Sequence, residues 1–576
     1  MTINAIVYCV HRDCFWIVLT AIMAADLATA RDLQHGFIDD SRVPGTVHLI
    51  DSDHTLKNKH AGSHQEIVLV PTPSTDPDDP LNWTPRRKYL ALTCMCIYVW
   101  FNGIAPSVVY SVITSLANNL NLTVGDINSG TGYIYLMVGW GLLFWQPLAL
   151  QYGKRPTYIV STLGVMAFTM WAPYAQNNGQ WIARCILAGF FGAPVDALPE
   201  ITVADLFFAH ERGTYMGVYA FVLAGSNFFA PIICGFINDS MGYKWVFYFP
   251  SIFLGCAAVF MFFFMEETNY DRQRIDTSTS TPPTTQPASA SRSLNDEKPS
   301  DLTSPATTSS SLESATTPAP QKTYLQKLSL KDTPRPQRMP YRFLLSLRLL
   351  TWPVIFYAGF SYGSYVIWFN VLNATSSIIL GGSPYNFSPA MVGLSYLSPL
   401  LGVVAGSLFT GYCSDWYSLK LARRNGGVME PEMRLWGFAL TTVVVPASLI
   451  LCGVGAAHHV HWFGLLVGMF GVSFGNTAGI TLSVTYLVDS YRDISGDGIT
   501  PVLIIRNTMS FAISYGITPW LDNLGTQDCF ISAAFISLAA SLVFLVMIWK
   551  GKYFRERHRE RYWKLVREHV EMGMVH

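Results

Sequence analysis

CFISAAFISLAASLVFLVMIW, residues 529–549, runs its whole length without a charged side chain and is stopped by Lys550-Gly551-Lys552. About 20 such residues cross the hydrocarbon core of a bilayer as an α-helix, because in lipid every backbone N–H and C=O must be satisfied inside the segment. Working outward, the same reading applies near 89–114, 130–150, 157–176, 180–203, 214–237, 245–265, 350–373, 390–412, 435–457, 462–488 and 500–521. Twelve spans imply an all-α polytopic membrane protein. Composition agrees: of 576 residues 50% are hydrophobic and only 13% charged, against roughly 25% charged in soluble chains. Lys plus Arg and Asp plus Glu balance at 38 each, so no excess of positive charge points to nucleic acid. The ten cysteines lack metal-knuckle spacing and read as packing residues.

The positions of the charges carry the orientation, since positive residues gather in cytoplasmic loops. Arg86, Arg87 and Lys88 precede the first span, Lys154 and Arg155 follow the second, and Arg212 follows the fourth; Lys420, Arg423, Arg424 and Arg434 separate the eighth and ninth, and Lys550, Lys552 and Arg555 follow the last. The opposite side carries Lys244 alone, so both termini and the middle loop are expected in the cytoplasm, and the plasma membrane is the expected location. The sequons at Asn121, Asn238 and Asn373 then fall in external loops as candidate glycosylation sites.

Residues 1–88 form an N-terminal segment, 89–265 a first six-span bundle, 266–349 a linker, 350–549 a second bundle and 550–576 a basic tail. Of the 45 residues 276–320, 28 are Ser, Thr or Pro, a composition that buries too little apolar surface to repay ordering and implies disorder. Residues 553–570 read as a basic helix for the inner membrane surface or as a solvated tail. Residues 14–30 resemble a signal-peptide core, but cleavage there would put Arg86, Arg87 and Lys88 outside; a start at Met23, with 1–22 as a gene-model extension, avoids the conflict.

Two loops at equivalent places share a pattern: Gln151-Tyr-Gly153-Lys154-Arg155-Pro156 after the second span, and Gly411-Tyr-Cys-Ser-Asp415 with Arg423 and Arg424 after the eighth. The pair resembles the signature loop GxxxDRxGRR of the major facilitator superfamily, although the first copy has Leu150 at the aspartate and Gln146 at the leading glycine. Gly217, Ser226, Ala230-Pro231 and Cys234-Gly235 in the fifth span resemble that superfamily's antiporter motif, with small residues replacing three glycines. Segments 44–51 (PGTVHLID), 70–88, 192–217, 265–272 (MEETNYDR) and 422–436 are similar to fungal twelve-helix transporters of the drug:proton antiporter type, in the branch of the yeast histidinol and polyamine permease. This resemblance implies the major facilitator fold, two six-helix bundles with a midplane site exposed alternately to each side. It also implies that Gly153, Lys154, Arg155, Gly411 and Asp415 gate the inner face, with Asp489 as a further gate or capping residue.

Ionisable groups inside a membrane span are costly and are functional candidates by default. Arg184, Asp196 and Glu200 lie in the fourth span and are the candidates for proton coupling. On an unbroken helix Asp196 and Glu200, four apart, share one face, while Arg184 is about 18 Å away along the axis. Its place resembles the arginine that proton-coupled members carry on this helix. Arg506 and Asn507, with Trp100, Asn102, Tyr362, Tyr365, Trp368 and Asn370, are candidates to line a substrate cavity and hold a cation or planar solute. His458, His459 and His461 lack acidic or cysteine company, so no metal or cofactor is expected. Gly471-Val-Ser473-Phe-Gly475 sits mid-helix rather than on a strand-to-helix turn, and no phosphate-binding GxxxxGK[ST] occurs, so neither a hydrolase nor an ATP-driven pump is expected. The sequence therefore leads to a monomeric, proton-coupled secondary carrier of a small organic solute, not an enzyme. Export of a drug-like or secondary metabolite is preferred to import of a polyamine-like cation, and a transporter-like nutrient sensor is the rival from another class.

Overall fold

The computed structural model describes residues 43–48, 78–270, 328, 339–425 and 428–571. Helix α1 (Pro85–Ser107) starts where Thr84-Pro85 places it, with Thr84 at the N-cap and Pro85 at the first helical position, whose N–H would be unpaired anyway. α1 ends one residue after Pro106, and α2 (Ile113–Leu120) carries the apolar run onward after a turn. A capping box opens α3 (Val124–Tyr152): the Asp126 N–H donates to Thr123 Oγ1 at 3.1 Å, and the Thr123 N–H donates to the Asp126 carboxylate at 3.0 Å. Next come α4 (Lys154–Trp171), α5 (Asn178–Gly192), α6 (Leu198–Leu206), α7 (Ala209–Met241) and α8 (Tyr243–Phe264).

In the second half α9 (Met339–Leu349) meets α10 (Pro353–Gly381) at a 79° bend. α11 (Pro389–Ser395) and α12 (Leu397–Leu408) lead through the π-helical turn Phe409–Cys413 into α13 (Ser414–Arg424). α14 (Phe438–Ala457), α15 (Trp462–Ser490), α16 (Ser495–Arg557) and α17 (Arg559–Glu571) complete it. One rung of antiparallel ribbon, β1 (Val47–His48) on β2 (Val428–Met429), is added to an otherwise helical fold.

Among the described residues nine helices are long and apolar enough to cross a membrane, or ten with α9 and α10 taken as one bent span. The difference from twelve apolar stretches has two physical causes. α16 contains both 500–521 and 529–549, and Gly525, at φ 73°, breaks its backbone between them. α4 holds Lys154 and Arg155 within its 18 residues, which lowers its mean apolarity. Large apolar side chains face outward, Trp549 at 80% exposure and Leu408 at 67%, as a lipid-facing surface requires.

One packing scheme is used twice. In the first half α3 packs on α5, α4 on α8 and α1 on α7; in the second α12 packs on α15, α14 on the far arm of α16 and α10 on its near arm. Second span pairs with fourth, third with sixth and first with fifth in both bundles. The halves meet where α3 runs along the near arm of α16 and where α7 touches α11. At that second seam, on the face away from the basic residues, Gly235 abuts the Pro389 carbonyl and a Cβ on Gly393 would stand 2.5 Å from the Pro231 carbonyl. Toward the basic face on the same spans, a Cβ on Gly217 or Gly411 would meet nothing within 4 Å. The halves are thus closed against each other at the face away from the basic residues.

Candidate functional site

The fourth span is not one helix. Pro194 and Pro199 both lack an N–H, and between them the chain takes a 3-10 turn over Ala193–Asp196 and leaves helical dihedrals at Ala197 (φ −121°) before α6 begins. The break lies between Asp196 and Glu200 and delivers Asp196 to the second half. There Asp196 forms an ion pair with Arg506 on the near arm of α16. Arg506 also donates to the Tyr362 hydroxyl at 2.9 Å and to Asn507 Oδ1 at 2.9 Å, and its guanidinium lies 5.0 Å from the Tyr362 ring centre. From α7 the Tyr219 hydroxyl donates to the Val195 carbonyl at 3.3 Å, pinning the break from behind. Asp196 is 8% exposed, whereas Glu200, in the first turn of α6, is half-buried and makes no hydrogen bond among the described residues. One carboxylate is thus neutralised by a fixed guanidinium and its neighbour is uncommitted. Because the ion pair joins the two halves, and breaking a buried pair costs about 3–5 kcal/mol when one charge is stranded, a change in their relative position needs a proton or a ligand to replace a partner.

The structure separates the remaining cavity candidates. Tyr365 donates to or accepts from Thr441 at 2.8 Å and stacks on Phe438, and Trp368 is 1% exposed; both belong to the core of the second half. Asn102 donates to the Tyr98 carbonyl at 2.9 Å inside the first half. Trp100 lines a lateral groove of about 370 Å³ with Leu92, Thr93, Cys96, Ile97, Phe101 and Val222, not the ion-pair site. Arg184, buried at 3% exposure, lies 4.1 Å over the Trp181 ring, and its Nε and Nη2 have no hydrogen-bond partner among the described residues. Asn370 and Asn373 face a small chamber of about 10 Å³, lined also by Tyr110, Asn128, Thr131, Tyr135 and Ser514 and thus by both halves. That volume admits about one water. Both side-chain polar atoms of Asn373 and Nδ2 of Asn370 lack a partner among the described residues. Tyr110 and Tyr135 share a 2.6 Å hydrogen bond at its wall, and Asn128 donates to Thr518 at 3.0 Å. Of the sequons, Asn121 is exposed at the end of α2 and Asn238 lies in the last turns of α7, accepting from Ser115 at 3.1 Å. Asn373, 1% exposed within α10, has no room for a glycan in this arrangement.

The first signature loop is built around a residue that sequence reading passed over. Gly153 takes φ +121° between α3 and α4, and a Cβ there would stand 2.6 Å from a Glu267 carboxylate oxygen. Glu267 accepts from the N–H groups of Lys154 and Arg155, each at 3.0 Å, so it caps the positive end of α4. Asn269 donates to the carbonyls of Ala149 and Leu150 at 3.0 and 3.2 Å and caps the end of α3. A carboxylate absent at Leu150 is supplied from beyond α8. Lys154 pairs with Asp205, and the buried Arg155 donates to the Phe262 carbonyl at 2.6 Å and to the Leu328 carbonyl. In the second copy Gly411 lies in the π turn and Asp415 in the first turn of α13, with the Asp415 side chain outside the described residues. Asp489 pairs with Arg434 at 2.6 Å. In the fifth-span motif Ser226 fills the space beside Gly103 of α1, Ala230 is buried, and Pro231 and Gly235 form the sealed seam. The signal for Glu267 lay in the quoted run MEETNYDR, but nothing local showed which helix end it would meet.

Comparison with known proteins follows the same lines. Residues 95–500 match the model of the Major Facilitator Superfamily. An uncharacterised MFS-type transporter of Schizosaccharomyces pombe is 26% identical over 552 residues, covering 92% of this chain and 95% of that protein. The protein HOL1 of Saccharomyces cerevisiae is 26% identical over 558 residues, with 89% and 95% covered, and the MFS antiporter QDR3 of Candida albicans is 24% identical over 618 residues, with 92% and 87% covered. Two bundles on one packing scheme, a charge pair at their junction and a family match over most of the length lead to one statement: this chain is a multi-pass membrane transporter of the Major Facilitator Superfamily.

Proposed function

We propose that the protein is a proton-coupled carrier of the fungal plasma membrane, with its basic face and both termini cytoplasmic, that exports a drug-like or secondary metabolite. The observation that supports this reading is the Asp196–Arg506 ion pair across the halves with Glu200 uncommitted beside it. A proton on Glu200 removes one of two neighbouring negative charges and changes how firmly Asp196 holds Arg506. Protonation then alters the contact that must yield when the halves rock. The name of the Candida albicans relative, an antiporter, fits this coupling mode. Import of a polyamine-like cation is the second reading, favoured by the surplus carboxylate: Asp196 and Glu200 face one guanidinium.

Proteoliposomes with an imposed pH gradient test the proposal. Labelled solute should accumulate against its gradient only when protons run the opposite way. Cation uptake with protons moving in the same direction would select the importer, and binding without gradient-dependent flux would select a sensor.

A further inference from the structure

The residues ahead of the first bundle are fastened to the second. Pro44 is buried, and its carbonyl accepts a hydrogen bond from Arg555 Nη1, 511 positions later in the chain. Thr46 Oγ1 lies 3.4 Å from the same nitrogen. Arg555 is fully buried, and its Nε and Nη2 reach the two oxygens of Glu432 at 2.9 and 2.6 Å. Glu432 takes one edge of the guanidinium; the Pro44 carbonyl takes a donor that burial would otherwise strand, at a penalty larger for a charged group than for a neutral one. Gly45 sits at φ +80°, and a Cβ there would stand 2.6 Å from the Asp489 carbonyl oxygen and 2.9 Å from the Ser490 Cα. Both the dihedral and the space admit glycine alone. Val47 and His48 then pair with Met429 and Val428 as an antiparallel rung.

We infer that Val43–His48 is an intrachain ligand of the second half, a tight turn closed by the Thr46 N–H on the Val43 carbonyl at 3.3 Å and a two-residue strand added to the 428–429 edge, locked by Arg555, which stays seated through the transport cycle. The segment's partners, Met429, Val428, Glu432-bound Arg555 and the Asp489–Ser490 end of α15, all belong to the second half. Rocking of one half against the other therefore leaves these contacts unchanged. The mode is strand addition, in which backbone hydrogen bonds supply affinity and a few pockets supply selection.

The test uses the full chain carrying Val47→Cys and Met429→Cys, which the register places directly opposite, and a protease site inserted at residue 60. After mild oxidation and cleavage the N-terminal fragment should remain attached on a non-reducing gel and come off with reductant. Val47→Cys alone, which controls for the native cysteines, should release it. Adding Gly45→Val to the pair should cut attachment at least tenfold. In proteoliposomes the cross-linked carrier should transport within about twofold of the reduced one. Release of the fragment from the double-cysteine protein would refute the docking. Transport lost on cross-linking and regained on reduction would refute the permanent seat and make the segment a switch that must leave.

Discussion

Arg506 makes three contacts from one planar group, to Asp196, Tyr362 and Asn507, and that fork is what a lysine cannot copy. Arg506→Lys should therefore lower turnover by about tenfold or more while the protein still folds, as flux and size-exclusion profiles will report. Asp196→Asn strands a buried guanidinium and should lower stability by about 3 kcal/mol. Asp196→Asn with Arg506→Gln should recover most of that loss in denaturant melts, because no unpaired charge is left. For Glu200→Gln the expectation is functional: the amide mimics the neutral acid, so gradient-driven accumulation should vanish while solute exchange across the membrane continues. Failure of both exchange and accumulation would mean that Glu200 binds solute instead. The three ionisable residues were legible as charges inside apolar runs. Their pairing was not, since 310 positions separate Asp196 from Arg506.

At the scale of helices, the junction of α3 and α4 depends on Glu267. Removing its carboxylate in Glu267→Ala leaves the Lys154 and Arg155 N–H groups without their acceptor, a loss of about 1–2 kcal/mol by analogy with N-caps. Thermal melts should show it, and Glu267→Gln, which retains an acceptor oxygen, should lose less. α17 is a second case. The sequence allowed it to lie on the membrane or in water, but its Tyr562, Leu565 and Val566 are buried against the second half, and Tyr562 donates to Asp493 at 2.5 Å. His569 is 3% exposed and faces Asp497 at 3.7 Å, with Arg342, Glu568 and the Tyr341 ring around it. Burial lowers its pKa, with Arg342 adding to the effect and Asp497 opposing it. An unfolded imidazole takes its proton near pH 6.5, the docked one at lower pH. The contribution of His569 is therefore complete above that value and falls as the medium is acidified. Hydrogen-exchange protection factors in 559–571, corrected for the intrinsic pH dependence of exchange, should fall on going from pH 7.5 to 5.5, and His569→Gln should flatten the change.

Across the whole molecule the closed face combines the apolar Phe228–Phe369 contact with the buried amides of Asn370 and Asn373, which lack partners among the described residues. Buried amides without partners favour a hydrated, open arrangement, each by about 1–3 kcal/mol. Asn370→Leu with Asn373→Leu should dry the seal and hold the carrier open to its basic face. Flux should fall at least tenfold, while solute binding from that face persists and an Ala374→Cys probe loses its reaction with an impermeant maleimide from the far side. The linker makes the opposite prediction: residues 276–320 lie outside the described residues, and their composition offers no core. Deleting 280–315 should leave flux largely intact, because the bundles need only a tether.

The sequence by itself determined that the chain crosses a membrane many times, where its long apolar runs lie, and which loops carry the positive charge. Transfer into lipid is close to a sum over neighbouring residues, so a window of about 20 is enough to read it. Pro85 and Thr84 likewise set the start of α1 within a single turn. Tertiary structure decided what depends on residues far apart in the chain. It gave Asp196 rather than Glu200 to Arg506, supplied Glu267 where Leu150 stands, and seated Pro44 on Arg555. Each of these is a buried polar contact, and a buried polar group takes whichever partner the packed helices bring within about 3 Å. No local pattern encodes that choice; the twice-used packing scheme of the bundles makes it.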